Sequence, residues 1–337
     1  MDLSKTEITP TCAGYPLIEV QDLFKRFGEI VALDGISFTI EKGELFGYLG
    51  PNGAGKTTTI SILTGLARQD SGSIRISGLD CTRNPKKAQN LIGVVPDESN
   101  LYPELSGFDN LCFCASLYGM PKNERRTRAF ELLETFGLAD AGRRKFAGYS
   151  KGMKRKLTIA AGIIHDPSIL FLDEPTTGID VSSARQIRKL IADLHHAGKT
   201  IFLTTHYIEE AERLCDRIAF IVKGKIVKIS TMANLLQPEQ EKKVMLITST
   251  NSTTGLCTKL RIAFPYLEFQ SVSDYEIRIE SDKTISIGPL VRFIEEQGGE
   301  VTEARRIRPS LEDVFVRVTG IELDLMTKEK EKGGSNP

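Results

Sequence analysis

The segment GPNGAGKT, Gly50 to Thr57, constrains the fold most, because it separates two segments of different type. The apolar run LFGYL before it predicts a buried strand, and TTTISILTGL after it predicts a helix. The segment fits G-x-x-x-x-G-K-[ST], in which Gly50, Gly53 and Gly55 let backbone N–H groups approach a phosphate. Lys56 supplies a cation and Thr57 a hydroxyl suited to Mg²⁺. The alternative is a glycine turn that caps a helix by coincidence, which the flanking strand and helix disfavour.

A second candidate site lies in SILFLDEPTTGID, residues 168–180. Ile169 to Leu172 predict a buried strand that ends at Asp173 and Glu174. Since open sheets bind ligands at the carboxyl ends of their strands, both acids are expected beside the phosphates. Adjacent strand residues point to opposite sides, so Asp173 is predicted to hold Mg²⁺ and Glu174 to orient an attacking water. Two adjacent acids alone would more simply be a solvated strand end.

The order of apolar runs and helical segments predicts the fold class. From Ile18 to about Ser230, short strand-like runs alternate with helices, which indicates an α/β domain with a mostly parallel sheet. LIEVQDLFKRF and DGISFTIEKGE show period-two patterning and predict an antiparallel β subdomain beside that sheet. Between about residues 98 and 165 helical periodicity replaces the strands and predicts a helical subdomain.

A change of composition at QPEQEKK predicts a linker at residues 237–243, after a first domain at 17–236. The order strand, helix, strand, strand, helix, strand then predicts a small α+β ferredoxin-like domain at 244–322. Within it, Ser310 and Asp313 predict a capped helix. Residues 1–16 are expected to be a flexible arm, without the pattern of a secretory signal, and 323–337 a disordered tail.

Composition excludes several classes of function. Lys plus Arg equals Asp plus Glu, 44 each, so no overall charge favours nucleic acid or anionic lipid. No run of about 18 apolar residues occurs, and the chain is not expected to span a membrane by itself. The six cysteines lack the spacing of a metal site or a disulfide framework, which indicates a reducing compartment. They are Cys12, Cys81, Cys112, Cys114, Cys215 and Cys257.

The ordered motifs GPNGAGKTT, YSKGM, LFLDEP, GID and TTH resemble those of the ATP-binding subunits of ABC transporters, from residue 18 to about 230. YSKGM stands in the place of the signature motif LSGGQ and departs from it at Tyr149, Lys151 and Met153, as in drug-exporter-type members. The resemblance implies a P-loop ABC-type nucleotide-binding domain with ATP and Mg²⁺ as cofactors. It also implies two such domains stacked head to tail, so that Ser150 and Gly152 of one chain contact the γ-phosphate held by the other.

Further site residues are implied by position within the motifs. Phe27 matches the aromatic residue that stacks on adenine, although an ordinary core position is the alternative. His206 matches the histidine that contacts the γ-phosphate and positions the water, and Asp180 matches the loop that links the two sites. The nucleotide-binding set is Phe27, Gly50, Pro51, Asn52, Gly53, Ala54, Gly55, Lys56, Thr57, Thr58, Ser150, Gly152 and Asp180. The catalytic set is Lys56, Glu174 and His206, and the metal set is Thr57, Asp97 and Asp173.

Asp97 departs from the family pattern, which has glutamine after a strand such as IGVVP. A carboxylate still ligates Mg²⁺ but cannot donate a hydrogen bond to water, so hydrolysis is expected to be altered. The segment NLYPELSGFDNL that follows is where the family docks its membrane partner. Its apolar residues Leu101, Tyr102 and Leu105 fit an exposed docking surface, and a buried helix start fits nearly as well.

Basic residues surround YSKGM and allow two interpretations, a nucleic-acid patch or a solvated helix face. We expect most of them to be solvated. They are Arg143, Arg144, Lys145, Lys151, Lys154, Arg155 and Lys156.

The resemblance implies an ATPase that acts as the motor subunit of a transporter: ATP closes the dimer, hydrolysis opens it, and the cycle drives a separate membrane permease. PSLEDVFVRVTG resembles the end of the extra C-terminal domain of drug exporters, which favours export. The partners expected are the permease and a second copy or a related subunit, with no nucleic acid. The location implied is cytoplasmic, peripheral on the inner face of the cell membrane.

Two other classes remain as alternatives. A soluble ABC ATPase of ribosomes or nucleic acid is disfavoured, because the chain has neither tandem nucleotide domains nor a long coiled-coil insertion. A nucleotide-binding regulator without turnover is disfavoured by the presence of Glu174 and His206.

Overall fold

The computed structural model describes residues 16–236, 243–307 and 310–321. These residues form two compact units, the first made of 16–232 with 315–321 and the second of the described residues from 233 to 314. The predicted arm lies outside the described residues apart from Pro16, and the predicted linker apart from Lys243. The predicted tail lies outside them entirely. None of the helices in the described ranges has the length and apolar composition of a membrane span.

The first unit alternates strands and helices, as the sequence predicts. Its strands are β1 Ile18–Phe27, β2 Ile30–Ile40, β3 Leu45–Leu49, β4 Ser71–Ile76, β5 Leu79–Asp80, β6 Ile92–Val95, β7 Ile169–Asp173, β8 Thr200–Thr205, β9 Arg217–Val222 and β10 Lys225–Thr231. Its helices are α1 Lys56–Leu63, α2 Pro85–Gln89, α3 Gly107–Leu117, α4 Lys122–Thr135, α5 Lys151–Gly162, α6 Val181–His196 and α7 Ile208–Leu214. The short helix α8 Met232–Leu235 follows.

Two sheets and a group of helices make up this unit. The larger sheet has the order β10-β9-β3-β8-β7-β6, and its strands are parallel except for β10. The smaller sheet, β2-β1-β4-β5, is antiparallel throughout. Between about residues 98 and 165 all of the regular structure is helical, with α3, α4 and α5 in contact with one another. This architecture confirms the predicted fold class, including the antiparallel and helical subdomains.

Aromatic packing joins the two sheets of this unit. Phe38 of β2 packs on Phe46 and Tyr48 of β3 and on Phe202 of β8, with ring centroids 5.5–6.0 Å apart. All four rings are buried. Thr59 of α1 donates a hydrogen bond of 3.4 Å to the hydroxyl of Tyr48, which ties the first helix to β3. Strand β3 and helix α1 flank the loop Gly50–Gly55, so this core positions the loop.

The second unit has the predicted order of elements. They are β11 Lys243–Ser249, α9 Thr253–Ala263, β12 Glu268–Ser271, β13 Glu276–Ser281, α10 Ile287–Glu296 and β14 Val301–Ile307. The strands pair antiparallel in the order β12-β13-β11-β14. This is the split β-α-β arrangement of a ferredoxin-like fold. Apolar residues of α9 and α10, such as Leu260 and Ile294, share a buried core with Met245 and Ile279 of the sheet.

The last helix, α11 Leu311–Thr319, starts as predicted. Asp313 donates its backbone N–H to Ser310 Oγ at 3.1 Å, and its carboxylate accepts from the Ser310 N–H at 3.0 Å. From Phe315 onwards the helix belongs to the first unit. Phe315 is fully buried against Phe220 of β9, with centroids 5.4 Å apart. The sequence predicts that all residues up to 322 belong to the C-terminal domain, and it carries no signal for this edge-to-face contact.

Candidate functional site

The phosphate-binding loop runs from the end of β3 to the start of α1, and its glycines meet different needs. A Cβ at position 50 would lie 2.2 Å from the carbonyl oxygen of Ile221, so only glycine fits there. Gly53 and Gly55 have φ of 77° and 106°, in the region that glycine alone adopts readily. Gly53 has open space on its Cβ side, as a close approach of a ligand requires.

The other loop residues predicted to bind nucleotide differ in their exposure to solvent. Ala54 is buried, and its carbonyl accepts a 2.9 Å hydrogen bond from Gly224 N–H, which fixes the loop on the larger sheet. Pro51, Asn52 and Thr58 are half-buried, and Thr57 is exposed at the first turn of α1. The loop therefore has one anchored side and one side open to a ligand.

Lys56 connects this loop to the end of β7. It is buried, and its Nζ donates to the carbonyl oxygens of Gly50 at 2.8 Å and Pro51 at 3.1 Å. The same Nζ lies 3.2 Å from Glu174 Oε1. The two motifs that the sequence singles out separately thus meet through one ion pair.

The backbone of Glu174 leaves the strand with φ of 45°, which is unusual for a residue with a Cβ. Such a conformation costs on the order of 1 kcal/mol or more and needs support from its surroundings. Thr204 of β8 provides part of it, because its carbonyl and Oγ1 both accept from Glu174 N–H, at 3.1 and 3.2 Å. The sequence does not predict this conformation.

Three groups surround the carboxylate of Glu174, which is 8% exposed. Lys56 lies beside Oε1, while His206 Nδ1 and Thr177 Oγ1 each lie 2.8 Å from Oε2. Burial alone would raise the pKa of Glu174. The close approach of His206, the charge of Lys56 and the hydroxyl of Thr177 outweigh burial and lower the pKa to about 2. Glu174 is therefore ionised at neutral pH.

Asp173 is the last residue of β7. It is buried, and its Oδ1 accepts a 2.5 Å hydrogen bond from Thr204 Oγ1. Asp97, the third metal residue predicted, is exposed after β6, the strand next to β7. In the described ranges no group of three His, Cys, Asp or Glu side chains could hold a metal ion by itself. The donors present still fit Mg²⁺, which takes one or two carboxylates and completes its shell with water and phosphate oxygens.

The remaining nucleotide candidates lie on separate elements. Phe27, at the end of β1, is 53% exposed, which excludes the alternative of an ordinary core residue. Lys25 Nζ lies 5.1 Å from its ring centroid. Ser150 caps α5 by accepting from Met153 N–H at 3.2 Å, and Asp180 caps α6 by accepting from Ser183 N–H at 2.9 Å.

Gly152 is buried between these two helices. A Cβ at this position would lie 2.3 Å from Ser183 Oγ and 2.7 Å from Ser183 Cβ. The glycine of YSKGM is therefore required by the packing of α5 on α6, whatever else it does. Tyr149, which departs from the usual signature, is also explained by packing, since its hydroxyl donates to the buried carbonyl of Ala141 at 2.7 Å.

Arg155 is a residue of the site whose position the sequence does not predict. We expected most cations around YSKGM to be solvated, but Arg155 is only 7% exposed. Its guanidinium donates to the carbonyl oxygens of Asp173 at 2.6 Å and Pro175 at 2.8 Å, on either side of Glu174. The signal was present, because Gly152, Arg155, Ile159 and Gly162 recur at helical spacing and all are buried on α5.

The segment after Asp97 contains both buried and exposed apolar residues, so it has features of a helix start and of an exposed surface. Leu101 is buried at 6% exposure, as a helix start would be, whereas Tyr102 is 52% exposed and packs edge-on against Phe113. Leu105 is half-buried.

Known proteins resemble this chain in sequence and in fold. The family model described as "ABC transporter" matches residues 33–177. A linearmycin resistance ATP-binding protein of Bacillus subtilis (strain 168) is 34% identical over 307 residues, which cover 90% of this chain and 98% of the relative. A daunorubicin resistance ATP-binding protein of Streptomyces coeruleorubidus is 36% identical over 308 residues, which cover 90% and 96%.

A solved structure described as a dimeric, post-hydrolysis state of the ATP-binding cassette MJ0796 with ADP and Pi superposes with a TM-score of 0.59. It is 27% identical, and the match covers 64% of this chain and 98% of that one. These findings confirm the resemblance inferred from the motifs. The chain belongs to the ATP-binding subunits of ABC transporters, a family that hydrolyses ATP.

Proposed function

We propose that this chain is the ATP-hydrolysing motor subunit of an ABC exporter, with Glu174 as its catalytic carboxylate. The observation that carries the proposal is the buried cluster in which Lys56 and His206 hold the ionised Glu174 beside the phosphate-binding loop. Because positioning and charge stabilisation do most of the work in phosphoryl transfer, such a prearranged cluster is what the reaction needs.

The contacts suggest an order of events. Lys56 now pairs with Glu174 Oε1 and with two loop carbonyls. The β- and γ-phosphates of ATP would draw its ammonium towards them, and Glu174 Oε1 would be released to accept a hydrogen bond from water. With a pKa of about 2, Glu174 orients and polarises this water rather than storing a proton. His206 keeps the carboxylate in place from the opposite oxygen.

Thr57 and Asp173 are the residues that would hold Mg²⁺, with Asp97 as a further ligand. The bound ion would neutralise charge on the phosphate oxygens. The hydrogen bond from Thr204 fixes the orientation of the Asp173 carboxylate, as partners behind a metal ligand commonly do.

The second half of the site would come from another copy of the chain or a related subunit. Ser150, Lys151 and Asp180 are exposed, so the helix starts of α5 and α6 are accessible to a partner. Phe27, exposed on β1, would stack on adenine. ATP would then be enclosed between the loop of one copy and the α5 N-terminus of the other.

Export is favoured by the relatives, two of which are named for resistance to linearmycin and to daunorubicin. The chain would act on the inner face of the cell membrane, bound to a separate permease. The exposed Tyr102 lies in the segment proposed to contact that permease.

The decisive test is ATP hydrolysis by Glu174→Gln. We expect kcat to fall by about 100-fold or more, while nucleotide still binds, because the amide cannot polarise water as a carboxylate does. Glu209→Gln is the matched control, since the Glu209 side chain is 73% exposed on α7 and pairs with Arg213 on the same helix. Hydrolysis by Glu174→Gln at the rate of the parent would refute the assignment.

A further inference from the structure

The guanidinium of Arg155 donates hydrogen bonds to backbone carbonyls at the ends of two neighbouring strands. Nη2 donates to Asp173, the last residue of β7, and Nε donates to Pro175 just after it. Nη1 donates to Pro96 and to Asp97, the latter at 3.0 Å, both after β6. Four acceptors from two segments thus surround one side chain. Arginine can satisfy them because its five N–H groups form a planar fork.

These carbonyls bracket the residue on which hydrolysis depends. Asp173 and Pro175 flank Glu174, whose φ of 45° is strained. Thr204 holds the N–H of Glu174 from the β8 side, and Arg155 holds the carbonyls of the residues before and after it. The backbone of Glu174 is therefore fixed on both sides.

The same side chain connects Glu174 to two other parts of the proposed site. Arg155 belongs to α5, the helix that Ser150 caps, and it bonds to the backbone of Asp97. We propose that Arg155 is a positioning residue, which holds Glu174 in its hydrolytic conformation and transmits movement of α5 or of the Asp97 segment to it. This inference rests on the proposed function, because it assigns Arg155 to the hydrolysis carried out by Glu174.

The proposal separates catalysis from nucleotide binding. The four carbonyls that Arg155 holds all lie outside the loop residues 50–57, so its loss should leave the loop intact. Lysine at position 155 would keep the charge, but its compact ammonium cannot replace the planar guanidinium and cannot hold all four carbonyls. Methionine fills a similar volume without any donor.

The test compares Arg155→Lys, Arg155→Met and the control Lys156→Met, the adjacent cation on α5, which is half-buried. Nucleotide affinity is measured with a fluorescent ATP analogue, and single-turnover hydrolysis is expressed per bound nucleotide. We expect affinities within about twofold of the parent and a hydrolysis rate about 10- to 100-fold lower for Arg155→Lys, since small misplacements of catalytic groups cost this much. Arg155→Met should be slower still, and Lys156→Met should match the parent.

The rate is expressed per bound nucleotide so that a partly unfolded variant does not lower it. If Arg155 only stabilised the fold, its variants would have fewer nucleotide-binding sites but the parent hydrolysis rate at each site. That result would overturn the proposal. Equal rates for Arg155→Lys and the parent would overturn it as well. If the parent itself does not hydrolyse ATP, or Glu174→Gln matches it, the proposed function fails instead.

Discussion

At the scale of single residues, the proposed catalytic carboxylate, Glu174, is kept ionised by its neighbours. Lys56, His206 and Thr177 contact the buried carboxylate of Glu174. The sequence identified three of these four residues from their motifs. It did not identify Thr177 as a partner, nor the conformation of Glu174, because both depend on how β7 and β8 meet in space.

The lowered pKa of Glu174 predicts acid sensitivity. A carboxyl group with a folded-state pKa of about 2, against an ordinary value of 4.5, contributes up to about 3 kcal/mol, present above pH 4.5 and lost as the pH falls towards 2. Urea unfolding of the parent between about pH 6 and pH 3.5 should therefore show a steeper loss of stability than that of Glu174→Gln. Parallel curves for the two proteins would contradict the pairing of Glu174 with Lys56 and His206.

A second prediction at this scale concerns Asp97 and the Mg²⁺ dependence of ATP hydrolysis. If its carboxylate ligates Mg²⁺, Asp97→Gln should raise the Mg²⁺ concentration needed for half-maximal ATPase activity, because an amide is a weaker ligand for a hard cation. Its backbone carbonyl, which Arg155 contacts, is retained in the variant. A Mg²⁺ titration of ATPase activity measures this. A rate and Mg²⁺ dependence identical to the parent would remove Asp97 from the metal site.

At the scale of elements, periodicity predicted the types of helix and strand well, and packing between elements less well. The alternation in β1 and β2 and the apolar runs of β3, β7 and β8 were sufficient for the sheets. The charge of Arg155 predicts a solvated side chain, whereas its place on the buried face of α5 puts it in the interior. The motif predicts that Gly152 contacts phosphate, but it does not predict the packing of Gly152 against Ser183.

The contact between α5 and α6 leads to a prediction about stability. Gly152→Ala would place a Cβ 2.3 Å from Ser183 Oγ and should lower the free energy of unfolding by about 1–3 kcal/mol, the usual cost of overpacking. Adding Ser183→Gly should recover part of this loss. Gly148→Ala is the control, since its Cβ would meet nothing closer than 3.9 Å. Urea denaturation of the parent and these variants measures the differences, and equal stability of Gly152→Ala and Gly148→Ala would refute this packing argument.

At the scale of the whole molecule, the chain joins an ATPase unit to a small ferredoxin-like unit. The order of elements predicted both, because each consists of short segments with clear periodicity. The return of α11 to the first unit was not predictable, since it depends on the contact of Phe315 with Phe220. The proposed catalytic cluster belongs entirely to the first unit, and so does Ser150, which is exposed to solvent where the proposed second copy would approach.

We propose that one copy supplies the phosphate-binding loop and another the α5 N-terminus of each site. Mixing two inactive variants tests this sharing of the site. Lys56→Met removes the loop cation, and Ser150→Asp keeps a side chain able to cap α5 but places a negative charge against the phosphate. Ser150→Asn, which caps without the charge, is the control.

In a random mixture half of the dimers pair the two variants, and each of these has one intact site. The measurement is the ATPase activity of the mixture. We predict that the mixture regains up to about a quarter of the parent activity, while each variant alone stays inactive. A mixture as inactive as its components would contradict a site shared between two copies.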